Sequence, residues 1–136
     1  MLLSHVHIGV SDFDRAFAFY AGLMDELGFA LKFCRPEKAW AGWMEDGASR
    51  PLLIIGRPFD GHGAHPGNGQ MVALLARGRS VVDRAYHRAL ESGAVDEGAP
   101  GPRPHYHRDY YGAYFRDTEG NKLCVCCHDA EPEQGD

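Results

Sequence analysis

The chain has 136 residues, 44% of them apolar and 24% charged, which is the composition of one globular domain long enough to bury a core. Its net charge of −5 comes without any basic block, so it carries no electrostatic footprint for nucleic acid or an anionic membrane. No apolar run approaches the roughly 18 residues of a membrane helix, and Met1-Leu2-Leu3-Ser4-His5 lacks the features of a secretory leader, so a cytoplasmic location is expected.

In chain order, His5 to Val10 reads as a short strand. Asp12 and Asp14 then signal a helix start, Phe13, Phe17 and Tyr20 recur at helical spacing, and Gly28 closes the helix. Three stretches with strand character follow at Phe29–Cys34, Ala39–Glu45 and Pro51–Arg57, with Asp46-Gly47 as the turn between the last two. A loop rich in Gly, His and Pro spans 61–69. The same grammar then returns. Met71 to Ala76 is an apolar strand, Ser80 is placed to cap a helix, and Val81, Val82, Ala85, Ala89 and Leu90 form its stripe, which ends at Gly93. A weak segment near Val95, then Tyr110–Arg116 and Lys122–His128, complete the second half, with a turn over Asp117 to Gly120. From Asp129 the acidic, apolar-poor tail is expected to fray.

The two halves are a repeat. Tyr20 and Tyr86 lie 66 residues apart, the same offset joins His5 to Met71, and Gly28 and Gly93 are 65 apart. This predicts a single α+β domain over 1–136, built of two βαβββ modules at about 3–60 and 70–128. Neither module can cover its own sheet. They are expected to pack side by side into one curved mixed sheet, with a concave pocket and the helices outside.

Four cysteines are too few for a disulfide scaffold, and Cys124-x-Cys126-Cys127-His128 matches neither a zinc-ribbon nor a thioredoxin spacing. Dinucleotide, nucleotide-triphosphate and serine-hydrolase motifs are missing from the sequence.

The phrase His5-Val6-His7-Ile8-Gly9-Val10-Ser11-Asp12, followed by Ala18-Phe19-Tyr20, resembles the opening of the vicinal oxygen chelate superfamily. Members include glyoxalase I, bleomycin-resistance proteins and extradiol dioxygenases. Phe115-Arg116-Asp117-Thr118-Glu119-Gly120-Asn121-Lys122-Leu123 resembles its second hallmark, an aromatic residue before Asp-Pro-Asp-Gly-Asn, with Thr118 and Glu119 as departures. The resemblance covers about residues 3 to 128. It implies a small-molecule ligand or substrate, a homodimer, and a divalent metal held from three strands. Carried over, the ligand positions are His5, Met71 and Cys124, of which only His5 matches. The ligand set is therefore incomplete and the cofactor is left open. A one-residue slip would turn Gln70 inward instead of Met71.

Strand alternation places His5 and His7 on one face, where a pair of imidazoles suits acid–base work near neutral pH. In fosfomycin-resistance relatives the His7 position holds a polar residue that touches substrate. Such relatives place a substrate-facing tyrosine ten residues before the Cys124 position, which here is Tyr114. Pairing Asp117 with Asp46 across the repeat matches Tyr114 with Trp43, so both are expected to line the pocket. Cys124, Cys126 and His128 share one strand face; Cys124 with His5, His7 and Met71 would form a soft donor set suited to copper or zinc, or else Cys124 would be a thiol activated by histidine. The loop before Tyr110–Arg116 could close over the pocket and bring in His107 or Tyr110. Each feature also has a plainer reading: buried histidines satisfied by hydrogen bonds, aromatics and cysteines as core, and His62, His65, His87 and His105 in solvent.

Two functions fit. One is a glyoxalase-like lyase or isomerase using His5, His7 and Cys124. The other is a metal-independent protein that sequesters a small aromatic compound, as in bleomycin resistance.

Overall fold

A computed structural model describes residues 2–131. The first module comprises β1 (His5–Gly9), α1 (Phe13–Leu27), β2 (Phe29–Arg35), a one-turn 3-10 helix (Pro36–Lys38), β3 (Trp40–Glu45) and β4 (Leu52–Gly56). The second comprises β5 (Val72–Leu75), α2 (Arg79–Glu91), β6 (Val95–Pro102), β7 (Tyr111–Arg116) and β8 (Lys122–Cys127). Residues 129–131 are exposed, and the rest of the acidic tail, 132–136, lies outside the described residues.

The local chemistry explains the elements. The Asp12 side chain caps α1 by accepting from the Arg15 amide at 3.2 Å, and Gly28 ends it in the left-handed region with φ of 80°. Ser80 does not cap α2. Gly78 takes that place with extended backbone and no side-chain bond, and the helix begins at Arg79. The weak segment near Val95 is a strand of eight residues. Its Gly and Pro content hides it from propensity, but pairing with β7 holds it, with irregularities around Gly98.

Both modules have the same topology. The first sheet runs β1-β4-β3-β2 and the second β5-β8-β7-β6, with only β1·β4 and β5·β8 parallel. The βαβββ repeat is thus present as expected. The sheets do not merge into one ladder, however: β1 and β5 are each an edge strand, and they are not hydrogen-bonded neighbours.

A single core joins the two modules. Ile8, Ile55 and Trp43 from the first sheet, and Phe115, Leu123 and Val125 from the second, pack with Phe19, Leu23, Val82 and Tyr86 of the helices. The helices also touch directly: Gly22 leaves room for Arg88, whose guanidinium reaches Glu26 at 3.2 Å. Each sheet therefore has one face against helices and one face open.

The turn between β7 and β8 ties the modules together with polar bonds. Asp117 is 2% exposed and accepts from Tyr20 Oη, the Glu119 and Asn121 amides, and Asn121 Nδ2. Glu119 in turn accepts from the Ser11 and Asp12 amides at the start of α1, and Asn121 donates to the Gly9 carbonyl. Burial, together with the Asp117 carboxylate, raises the Tyr20 hydroxyl well above its ordinary pKa, so it stays a donor.

Candidate functional site

The open face of the second sheet follows from strand alternation. Tyr114 lies opposite Cys124 and Gly112 opposite Cys126 on β7 and β8, while Ala73 and Leu75 flank the same cysteines from β5. Cys127 points the other way, into the core. The loop 103–110 folds back so that the Tyr110 ring lies over Gly112; a Cβ there would sit 2.9 Å from the ring. Tyr110 Oη is 2.9 Å from Tyr114 Oη and 3.4 Å from Cys124 Sγ. Next to it, Cys126 Sγ lies 3.8 Å from His128 Nε2, and His128 Nδ1 lies 2.9 Å from His107 Nε2. Arg103 and Lys122 stand over the Tyr114 ring at 5.6 and 5.9 Å.

The electrostatics separate the two thiols. The neighbouring Cys126 thiol, then burial, raises Cys124, which keeps its proton. Cys126 is lowered to about 6, chiefly by the neighbouring Cys124 thiol and further by Tyr110 and His128, against the opposing effect of burial. Burial, followed by its bonds to Cys124 and Tyr114, raises Tyr110.

On the first sheet, His5 and His7 share the open face. The His5 ring meets Ser4 Oγ at 2.9 Å. His7 lies over Gly56, where a Cβ would be 2.9 Å from its Nε2 and 3.1 Å from the Trp40 ring. Partial shielding from water, then the neighbouring His5, lowers the His7 pKa and favours neutral imidazole. His7 also lines a cavity of about 220 Å³ with His65, Gln70, Met71, Asn121 and Lys122, which connects the two modules. A second, largely apolar cavity of about 480 Å³ runs along the seam and is lined by Val6, Leu53, Val72 and Leu74.

Comparison with known proteins defines the family. A model of the Glyoxalase/Bleomycin resistance protein/Dioxygenase superfamily matches residues 2–125. The chain belongs to this superfamily. It is similar to a glyoxalase/bleomycin resistance protein from Albidiferax ferrireducens, at 27% identity and a TM-score of 0.84, over 93% of this chain and 99% of that one. It shares its fold with a glyoxalase-related enzyme from Fulvimarina pelagi (19% identity, TM-score 0.68, 93% and 88% covered). The same holds for a lactoylglutathione lyase from Agrobacterium tumefaciens (22% identity, TM-score 0.61, 92% of each chain covered). No curated relative matches the chain.

As a glyoxalase-superfamily chain, it carries donors that do not fit the divalent metal implied by the fold. Cys124 is a buried, protonated thiol engaged by Tyr110. Met71 offers a thioether, a poor ligand for a hard cation. Among the described residues, no group of three or more His, Cys, Asp or Glu side chains is arranged to hold a metal.

Of the candidate residues, Tyr110, Tyr114, Cys124 and His107 gather on the second sheet, while His7 and Met71 meet at the small cavity and His5 lies beside Ser4. Trp43 lines the apolar cavity of about 480 Å³ but does not pair with Tyr114. It lies opposite Leu53, as Phe115 lies opposite Leu123, and it stacks on Phe17 of α1 at 5.6 Å. The true counterpart of Tyr114 is Gly42. Matching Asp46 with Asp117 is one residue out, and one residue reverses the face of a strand. Trp40, half-exposed beside His7, was missed; its alternation with Gly42 on β3 is the signal that marks it.

Proposed function

We propose that this superfamily member binds a small planar or apolar organic molecule, with one polar or anionic handle, without a catalytic metal. The observation that carries this reading is the Tyr110–Tyr114 pair bracketed by Arg103 and Lys122, at the place where metal-bearing relatives use a ligand and this chain has Cys124. Aromatic surface supplies binding energy and the cations supply orientation. The test is a screen of small aromatic carboxylates by fluorescence of Trp40, the half-exposed tryptophan. Tyr114→Ala should weaken any hit by about 1–3 kcal/mol. Unchanged affinity would remove Tyr114 from the site.

His7 favours a second reading. A neutral imidazole in the cavity it shares with Lys122 suits proton abstraction from a small carbonyl or thiol-adduct substrate, as in a glyoxalase-like lyase or isomerase. His5 and Cys124 would then serve as assisting groups. In that case His7→Ala abolishes turnover without changing stability, and retained turnover rules the role out.

The reading includes a homodimer in the cytoplasm. The open edges β1 and β5, the apolar seam and exposed Met71 and Leu75 support association, and cysteines crowded without a scaffold pattern suit a reducing compartment. Sedimentation at the mass of a single chain would refute the dimer.

A further inference from the structure

Lys122 is a cation left without a counterion. It opens β8 directly opposite Arg116 of β7, and like charges facing each other across a sheet repel. Arg116 is neutralised by Glu97, 2.5 Å away, and also donates to the Gly120 carbonyl at 2.9 Å. Among the described residues, Lys122 makes no ion pair. The carboxylates nearest to it in the chain are already engaged. Asp117 is sealed among the donors of its own turn and Tyr20, and Glu119 holds the Ser11 and Asp12 amides. A half-buried positive charge thus faces a second one, and any anion that reaches it relieves the repulsion.

There is room for one. Lys122 borders the cavity of about 220 Å³ between the modules, and the other polar walls are His7 of β1, His65 and Gln70 of the loop before β5, and Asn121. Among the described residues, no carboxylate lines it. Two of the wall donors are spent: Asn121 Nδ2 donates to the Gly9 carbonyl and to Asp117, and Gln70 Nε2 donates to the Pro66 carbonyl at 3.1 Å. Lys122 and the two imidazoles remain to meet a ligand. The loop that carries His65 is fixed on both sides of it. The Ala64 amide donates to Ser11 Oγ at 2.8 Å, and Pro66 packs on Gly120, where a Cβ would be 3.4 Å away.

We propose that this cavity is an oxyanion site in which Lys122, flanked by His7 and His65, holds the carboxylate or phosphoryl group of a small organic acid. The cavity exceeds several times the roughly 30 Å³ share of one water, so it admits more than the charged group alone. The Lys122 ammonium also stands 5.9 Å from the centre of the Tyr114 ring, which directs the rest of the ligand toward the aromatic pair. The inference rests on the proposed reading for the organic body of the ligand and deepens it: of the two cations beside Tyr114, Lys122 takes the anionic handle. Arg103 is otherwise engaged, since its guanidinium donates to the Ala99 and Pro102 carbonyls at 2.9 and 3.3 Å.

The test is a nuclear magnetic resonance titration of the whole nitrogen-15-labelled chain at neutral pH. The probes are propionate and methylphosphonate, with propionamide as the uncharged control, and the reporters are the side-chain amides of Gln70 and Asn121 in the cavity wall. The expected result is a saturable shift of both amides by an anion, with an affinity about fivefold or more above that of propionamide. The tighter of the two anions tells a carboxylate site from a phosphoryl site. Lys122→Gln should remove that preference and Lys122→Arg retain it, while Lys32→Gln, which deletes an exposed cation on β2, should leave it unchanged. Propionamide binding as well as both anions, or neither anion giving a saturable shift, overturns the proposal in the unaltered chain without relying on any variant. A preference that survives Lys122→Gln overturns it too. The probes carry no ring, so a negative result here leaves the aromatic reading and its Tyr114→Ala test standing, and a failed aromatic screen leaves this result standing.

Discussion

Asp117→Ala should cost about 3–5 kcal/mol of stability in urea unfolding, the range expected when one member of a buried, charge-assisted network is removed. The carboxylate is almost fully buried and accepts from four donors. Two of these are amides of its own turn, one is the Asn121 side chain, and one is the hydroxyl of Tyr20 on the other module. Alanine leaves the Tyr20 hydroxyl and the two turn amides without a partner and takes one of two acceptors from the Asn121 side chain, and Glu119 and Asn121 lose the geometry with which they hold residues 9–12. Tyr20→Phe removes a single donor and should cost about 1.5–3 kcal/mol, the value of a bond to a charged group. The double variant should be less damaging than the sum, because both changes break the same contact. A loss under about 1 kcal/mol for Asp117→Ala would mean that water satisfies the donors and the turn is not a structural joint.

Phe115→Ala should be of similar severity, about 3–5 kcal/mol, through the cavity it leaves. Its ring is fully buried and meets Phe19 of α1 at 6.5 Å and Tyr86 of α2 at 6.3 Å, both edge-on. It is thus the side chain on which both helices converge. Since one core serves both modules, the variant should still unfold in a single transition, followed by circular dichroism and by tryptophan fluorescence together. Two separate transitions would show that the modules are independent folding units.

Much of this architecture is legible in the residues. Gly28 and Gly93 mark helix ends, and both adopt positive φ. The offset of about 66 residues reveals the repeat, and period-two alternation puts Cys124 and Cys126 on one face. What escaped depends on quantities that local sequence does not encode. Trp43 falls on the opposite face from Tyr114 because the β3–β4 connection is two residues longer than the β7–β8 turn, so Asp46 and Asp117 do not mark equivalent strand positions and only pairing with β4 sets the register. β6 is faint in the sequence because Gly98, Pro100, Gly101 and Pro102 are poor strand formers, which pairing with β7 overrides. The gap between β1 and β5 reflects the packing of whole modules, which no residue pattern reports. Within the candidate site, the link from His107 to His128 joins a loop to a strand end 21 residues away and could not be read from spacing.

The β7–β8 turn makes the two repeats unequal partners. Asp46 occupies the matching bend of the first module, yet it is exposed, while Asp117 is sealed inside and its neighbours grip the opposite module. Duplicated halves often look interchangeable, but here one bend is a hinge pin and the other is spare. Over generations the 46–50 bend is free to lengthen, acquire new side chains and reshape the rim of the first sheet. The 117–121 bend has no such licence. Diversification in this scaffold is thereby channelled to one end of the molecule, while the other keeps the pair of modules assembled.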